Sequence, residues 1–252
     1  MALSDEELER YARHIILKEV GGPGQQKLKA AKVLVIGAGG LGSPALMYLA
    51  AAGVGTLGVV DDDEVSLSNL QRQIVHGSSD LKRPKVESAR DRLLELNPTV
   101  TIETVNEKLA QSAIEDLIAG VDVVLDGTDN FDSRFAINKA CVAKKKPLVS
   151  GAAIRFEGQV SVFRNDQANS PCYQCLYSDA GNLNETCTQT GVVAPLLGII
   201  GSVQALEAIK LLTGIGKDLG GRLLLLDALS MDWHTMRFNK DPKCPICSNV
   251  TH

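Results

Sequence analysis

The chain has 252 residues with 44% hydrophobic content, enough for a sizeable core, and aromatics at only 4% make that core aliphatic. Against 30 Asp and Glu stand 26 Lys and Arg, a formal charge of −4, which argues against a general nucleic-acid or anionic-membrane surface. The charged opening Ser4–Arg10 does not read as a secretory signal. The most apolar stretch, Val192–Val203, stops before Gln204 and Glu207, too short to span a bilayer. A cytoplasmic location with no integral membrane segment is expected.

Ser4-Asp5-Glu6-Glu7 starts a helix expected over Asp5–Leu17, with Gly21-Gly22-Pro23-Gly24 ending the segment. Val33–Ile36 then reads as a strand buried on both faces. Gly37-Ala38-Gly39-Gly40-Leu41-Gly42 follows as G-x-G-x-x-G where strand must become helix. Gly37 permits the tight turn and Gly39 lets phosphate approach the backbone. Gly42 lets the helix, Ser43–Gly53, pack on the strand. That helix aims free N–H groups at an anion. A second strand, Thr56–Val60, ends in Asp61, about 20 residues past the glycines, where a carboxylate can bond ribose hydroxyls.

A polar loop, Asp61–Asp80, is far longer than an ordinary strand-to-helix connection. It carries Asn69, Arg72 and Gln73, and Lys85 follows on the helix Pro84–Leu96. An Arg and a Lys converging near the glycine turn suit a triphosphate, whereas a dinucleotide dehydrogenase would leave this loop unexplained. Thr101–Val105 reads as a strand, Ala110–Ile118 as a helix and Val121–Leu125 as a buried strand. Asp126-Gly127-Thr128-Asp129-Asn130 offers carboxylates near the switch point, which suit Mg²⁺; Asp129 could instead cap the helix Phe131–Lys144. Pro147–Ser150 is a short strand.

From Gly151 the rhythm changes to an antiparallel strand, Gly158–Phe163, and a polar loop from Asn165 to Thr190. A long apolar helix, Gly191–Leu212, interrupted by Gly198 and Gly201, precedes a hairpin of Arg222–Asp227 and Met231–Phe238. The fold class is therefore α/β: a Rossmann-like, mostly parallel half running into a mixed or antiparallel C-terminal extension. Cys172-Tyr-Gln-Cys175 and Cys244-Pro-Ile-Cys247 match the four thiolates of a structural Zn²⁺ site clamping the C-terminal segment; redox chemistry is the alternative. Cys187, in the polar loop, could be an accessible nucleophile, while Cys141 sits in a core pattern. The four histidines form no recognisable constellation.

RYARHI, GAGGLGSPALMYLAAAGVG, SLSNLQRQ, GTDNFDSRFAIN, SGAAIRFEGQV and the two C-x-x-C pairs resemble the MoeB/ThiF/HesA family, bacterial relatives of ubiquitin-activating enzymes. The likeness runs from about Leu8 to Cys247, and SGAAIRFEGQV stands nearer the MoeB branch than the ThiF branch. The resemblance implies a nucleotidyltransferase that uses ATP to adenylate the C-terminal glycine of a small ubiquitin-like sulfur-carrier protein, for molybdenum cofactor biosynthesis. It assigns Gly37, Gly39, Gly40 and Gly42 to the nucleotide turn and Asp61 to ribose. Asn69, Arg72, Gln73 and Lys85 fall to the phosphates, Asp129 to Mg²⁺, and the paired cysteines to Zn²⁺. Arg13 matches an arginine that reaches across a homodimer to the partner's ATP site, and Cys187 matches a cysteine used differently by different members.

The resemblance also implies one adenylyltransferase domain over 1–252: an N-terminal helical segment (1–30), a nucleotide-binding half (31–150) and a carrier-binding, zinc-containing half (151–252). A C-terminal rhodanese domain, carried by some members, is expected to be absent. Three alternatives stand beside this reading. One is ThiF-like activation of the thiamine sulfur carrier. The others are an NAD-dependent oxidoreductase and a non-catalytic binder of ubiquitin-like proteins.

Overall fold

Short β-branched and aliphatic runs build the parallel part of the sheet, its central strands buried on both faces. The computed structural model describes residues 2–177 and 190–248. Its strands are β1 (Lys32–Ile36), β2 (Thr56–Val60), β3 (Thr101–Val105), β4 (Val123–Asp126), β5 (Leu148–Ile154), β6 (Glu157–Phe163), β7 (Arg222–Asp227) and β8 (Asp232–Arg237). They form one sheet in the order β3-β2-β1-β4-β5-β6-β7-β8. Pairing is parallel from β3 to β5 and antiparallel from β5 to β8. The expected change from parallel to antiparallel therefore occurs within a continuous sheet.

The helices are α1 (Asp5–Arg10), α2 (Ala12–Ile15), α3 (Gly21–Ala30), α4 (Gly42–Ala51), α5 (Lys85–Leu96), α6 (Gln111–Ala119), α7 (Phe131–Ala143), α8 (Tyr173–Leu176) and α9 (Ala194–Thr213). Strand residues alternate between two cores. Val33 and Val35 pack with Leu46 and Leu49 of α4, Leu93 of α5 and Ile200 of α9. Leu34 and Ile36 face Ile118 of α6 and Ile137 of α7.

Several boundaries differ from the sequence expectation. The first helix breaks at Tyr11 (φ −96°, ψ 12°), which lets its buried ring reach inward and its hydroxyl meet Thr99 and Asn97 at 3.0 and 2.8 Å. Gly21-Gly22-Pro23-Gly24 opens α3 instead of ending a segment. Pro23 lies in the first turn, where its missing N–H removes no helical bond. Strand β5 runs past Ser150 to Ile154 because its second half pairs with β6.

Gly198 and Gly201 do not interrupt α9, whose packing on α4 and the sheet outweighs their low propensity. The helix also continues beyond Val203. By length and composition it is the one helix among the described residues that could cross a membrane, at mean hydropathy 1.5. It is instead built into the core, where buried Gln204 donates to the Asp126 carbonyl at 2.8 Å and buried Glu207 accepts from the Leu219 N–H at 2.8 Å.

Candidate active site

A cleft of about 590 Å³ opens at the carboxyl ends of β1, β2 and β4, where the order of strand connections reverses. Gly37 has φ +99°, which only glycine adopts without strain, so the chain can turn sharply out of β1. A Cβ on Gly42 would lie 1.9 Å from the Gly37 carbonyl oxygen; its absence lets α4 start directly against the turn. Gly37, Gly39 and Gly40 line the cleft together with Asp61, Arg72, Gln73, Lys85 and Asp129. Of the other residues assigned to the nucleotide, Gly42 packs behind the turn. Asn69 accepts the Ser66 N–H at 3.1 Å and closes its own loop without lining the cleft.

The loop after β2 holds the glycine turn by both backbone groups of Ala38. Asp61 accepts the Ala38 N–H at 2.7 Å, and His76 Nε2 lies 2.9 Å from the Ala38 carbonyl oxygen. The carbonyl needs a donor, so Nε2 carries the proton and Nδ1 accepts from the Ser88 hydroxyl at 2.8 Å. Burial pushes the His76 pKa below its usual value. Burial raises that of Asp61, partly opposed by the Lys85 ammonium 3.9 Å away. Lys85, itself buried, donates to Asp63 at 2.7 Å. Arg72 is half-buried and donates to the Ser68 carbonyl at 3.0 Å. Buried Gln73 leaves Oε1 without a hydrogen-bond partner, an acceptor a ligand donor could satisfy.

The opposite wall is the Gly127–Asn130 turn. Asp126 is buried and accepts from the Thr128 N–H and hydroxyl at 2.9 and 2.7 Å and from Ser150 at 2.9 Å. It therefore shapes the turn. Asn130 caps α7 by accepting the Ser133 N–H at 2.9 Å. Asp129 is left exposed in the cleft, with no hydrogen bond or ion pair to a described residue. Two residues in this region were not singled out from sequence. His76 looked like one of four scattered histidines. Arg134, on the helix expected over Phe131–Lys144, is buried and donates to the Thr128 carbonyl at 2.8 Å.

The paired cysteines converge as their spacing suggested. Their sulfurs lie 4.0 Å apart for Cys172 and Cys175, 3.7 Å for Cys172 and Cys244, and 3.4 Å for Cys175 and Cys247. A tetrahedral centre with Zn–S near 2.3 Å would set sulfurs roughly 3.8 Å apart, whereas a disulfide needs about 2.05 Å. The cluster could hold a metal. Cys141 is fully buried in α7, and burial pushes its thiol well above the usual range, as a core residue requires. Arg13 is exposed on α2, outside the cleft lining and without a partner among the described residues. Cys187 lies outside the described residues.

Cations meeting a glycine turn across from an unpaired carboxylate make this a phosphate-handling α/β protein of the nucleotide-binding class. The ThiF family model matches residues 11–246, and the chain belongs to that family. It is 50% identical over 245 residues to the molybdopterin-synthase adenylyltransferase of Salmonella typhimurium, covering 97% of this chain and 98% of that protein. The sulfur carrier protein ThiS adenylyltransferase of Escherichia coli is 44% identical over 245 residues, covering 97% of each chain. Among solved structures, E. coli MccB with ATP superposes with a TM-score of 0.83 at 21% identity, over 97% of this chain and 75% of that one, a likeness of fold. The chain is thus an enzyme of the nucleotidyltransferase type, which displaces the oxidoreductase and non-catalytic readings.

Proposed function

We propose that the protein uses ATP to adenylate the C-terminal glycine of a small ubiquitin-like sulfur carrier of the molybdopterin type. The observation that carries this reading is the cleft itself. Arg72 and Lys85 stand on one wall, Asp129, without a partner among the described residues, on the other, and the glycine turn lies between them.

A C-terminal carboxylate has a pKa of about 3.3–3.7 and is ionised at neutral pH, so attack needs no general base. A carboxylate oxygen bonds to the α-phosphorus, the bond to the bridging oxygen breaks, and pyrophosphate leaves with that electron pair. The obstacle is bringing two anions into line. Arg72 and Lys85 offset the repulsion and stabilise charge on the leaving phosphates. Asp61 would orient the ribose. Asp129 would hold Mg²⁺, which when bound spreads phosphate charge. The four cysteines would hold Zn²⁺ with no open position, a structural role.

In this reading the enzyme is a homodimer in which Arg13 serves the partner's site. Exposed Ile16, Tyr48 and Leu206, at 71%, 59% and 54%, support it: they follow α2 or lie on α4 and α9; α9 packs directly on α4 and also on α3, which packs on α2. The thiamine carrier is the second reading, favoured by the 44% identity to the ThiS enzyme. ATP–pyrophosphate exchange with each purified carrier, and with versions lacking the terminal glycine, tests both. Exchange that needs no carrier glycine would overturn the proposal.

A further inference from the structure

Helix α7 touches both the cleft and the cysteine cluster. Its first turns carry Arg134, which holds the Thr128 carbonyl beside Asp129. One turn on, Asn138 is completely buried. A buried primary amide is unfavourable unless both ends are bonded. Here Oδ1 accepts the Tyr173 N–H at 2.9 Å, and Nδ2 donates to Cys172 Sγ at 3.7 Å. Arg134 and Asn138, four residues apart, share one face about 6 Å along a stiff helix.

The space between the two sites is filled in an unusual way for this chain. Four of its five phenylalanines and two of its four tyrosines meet there in one cluster, mostly edge-on or tilted. Tyr173 lies 5.7 Å from Phe135 of α7 and within the field of the Arg134 guanidinium. Aromatic rings transmit displacement well because they are large and have few rotamers. A contiguous path thus runs from Cys172 through Tyr173 and Asn138 to Arg134, Thr128 and Asp129.

We infer that Asn138 is a positioning residue that locks the cysteine cluster to α7, so that metal at the cysteines and nucleotide in the cleft favour one another. This rests on the reading of a zinc site and an ATP cleft. A metal drawing the four sulfurs together fixes Cys172 and Tyr173, and Asn138 hands that order to the Thr128–Asp129 turn. Linkage requires the effect to be reciprocal: nucleotide must tighten metal binding by the same factor as metal tightens nucleotide.

The test uses full-length protein loaded with zinc. Zinc release to a chromogenic chelator and the affinity of a non-hydrolysable ATP analogue are measured separately. Asn138→Ala is expected to lose zinc affinity about 10- to 100-fold, as for other residues that orient metal ligands. It is also expected to bind the analogue more weakly, within the roughly 5- to 150-fold span of such couplings. Asn138→Asp keeps the acceptor for the Tyr173 N–H but loses the donor to sulfur, so it should release zinc faster even if the alanine variant fails to fold. Saturating analogue should slow zinc release in the wild type and have little effect in the variants.

Wild-type zinc affinity in both variants, or faster release with unchanged analogue affinity, would overturn the inference. A wild-type protein that holds no zinc or binds no analogue would remove the underlying reading, and this inference with it, before any variant is compared.

Discussion

Replacing His76 with alanine removes the bridge between the glycine turn and α5. The buried Ala38 carbonyl, 2.9 Å from Nε2, then loses its partner, and the Ser88 hydroxyl, 2.8 Å from Nδ1, keeps only its interaction with Asp80. An orphaned buried group costs about 1–3 kcal/mol and a lost hydrogen bond about 0.5–1.5, so the loss should be about 1.5–4.5 kcal/mol. At roughly 2–4 °C per kcal/mol for a chain of this size, the melting temperature should fall by about 3–18 °C. The pH dependence gives an independent reading. The folded pKa of His76 is depressed by burial, so the unfolded chain binds the proton first as pH falls. Its contribution is fully present above the unfolded value, about 6.5, and is lost as pH drops below it toward the folded value. Thermal unfolding from pH 8 to pH 5 should show a downward component in the wild type that His76→Ala lacks. Equal melting temperatures, or parallel pH profiles for the two proteins, would refute the assignment of a neutral, doubly bonded His76.

Asp129→Ala should melt like the wild type, since its carboxylate has no described partner, and lose at least about 100-fold in Mg²⁺-dependent exchange. Gly42→Ala should lose about 3 kcal/mol or more in chemical denaturation, because its Cβ would sit 1.9 Å from the Gly37 oxygen. Mixing Arg13→Ala with Asp129→Ala subunits should restore part of the exchange activity through one intact composite site; none, with heterodimers demonstrated, would exclude action across the dimer. Cys187→Ala should keep carrier-dependent exchange, as no residue assigned to the phosphate chemistry requires its sulfur.

What could be read from the sequence was whatever declares itself locally. Val33–Ile36, the glycine turn and Asp61 announce strand, turn and acid in register, and they meet in space as read. The cysteine pairs did the same across a long separation, because thiolate spacing has few uses. Positions decided by tertiary partners were opaque. Tyr11 breaks a helix that its neighbours would continue, since Thr99 and Asn97 hold its hydroxyl. Gly21–Gly24 resembles a terminator, yet packing makes it a helix start. The family resemblance sets Asp129 ahead of Asp126; the bonds from Thr128 and Ser150 supply the physical reason, making Asp126 a buried strut. His76, Arg134 and Asn138 carry no local signature, because their importance lies in what they touch.

Helix α9 presents a hazard during synthesis that its position in the chain resolves. Twenty residues this apolar, emerging alone from a ribosome, would invite aggregation or capture by a membrane-insertion pathway. Its principal packing partners, α3, α4, β4, β5 and β6, all precede it. At about 5–20 residues per second, α9 takes roughly one to four seconds to emerge, and its docking surface has already been made. The helix can close onto that surface as it appears, ahead of β7, β8 and the last two cysteines. The order in which the chain is translated thus protects its most insoluble segment.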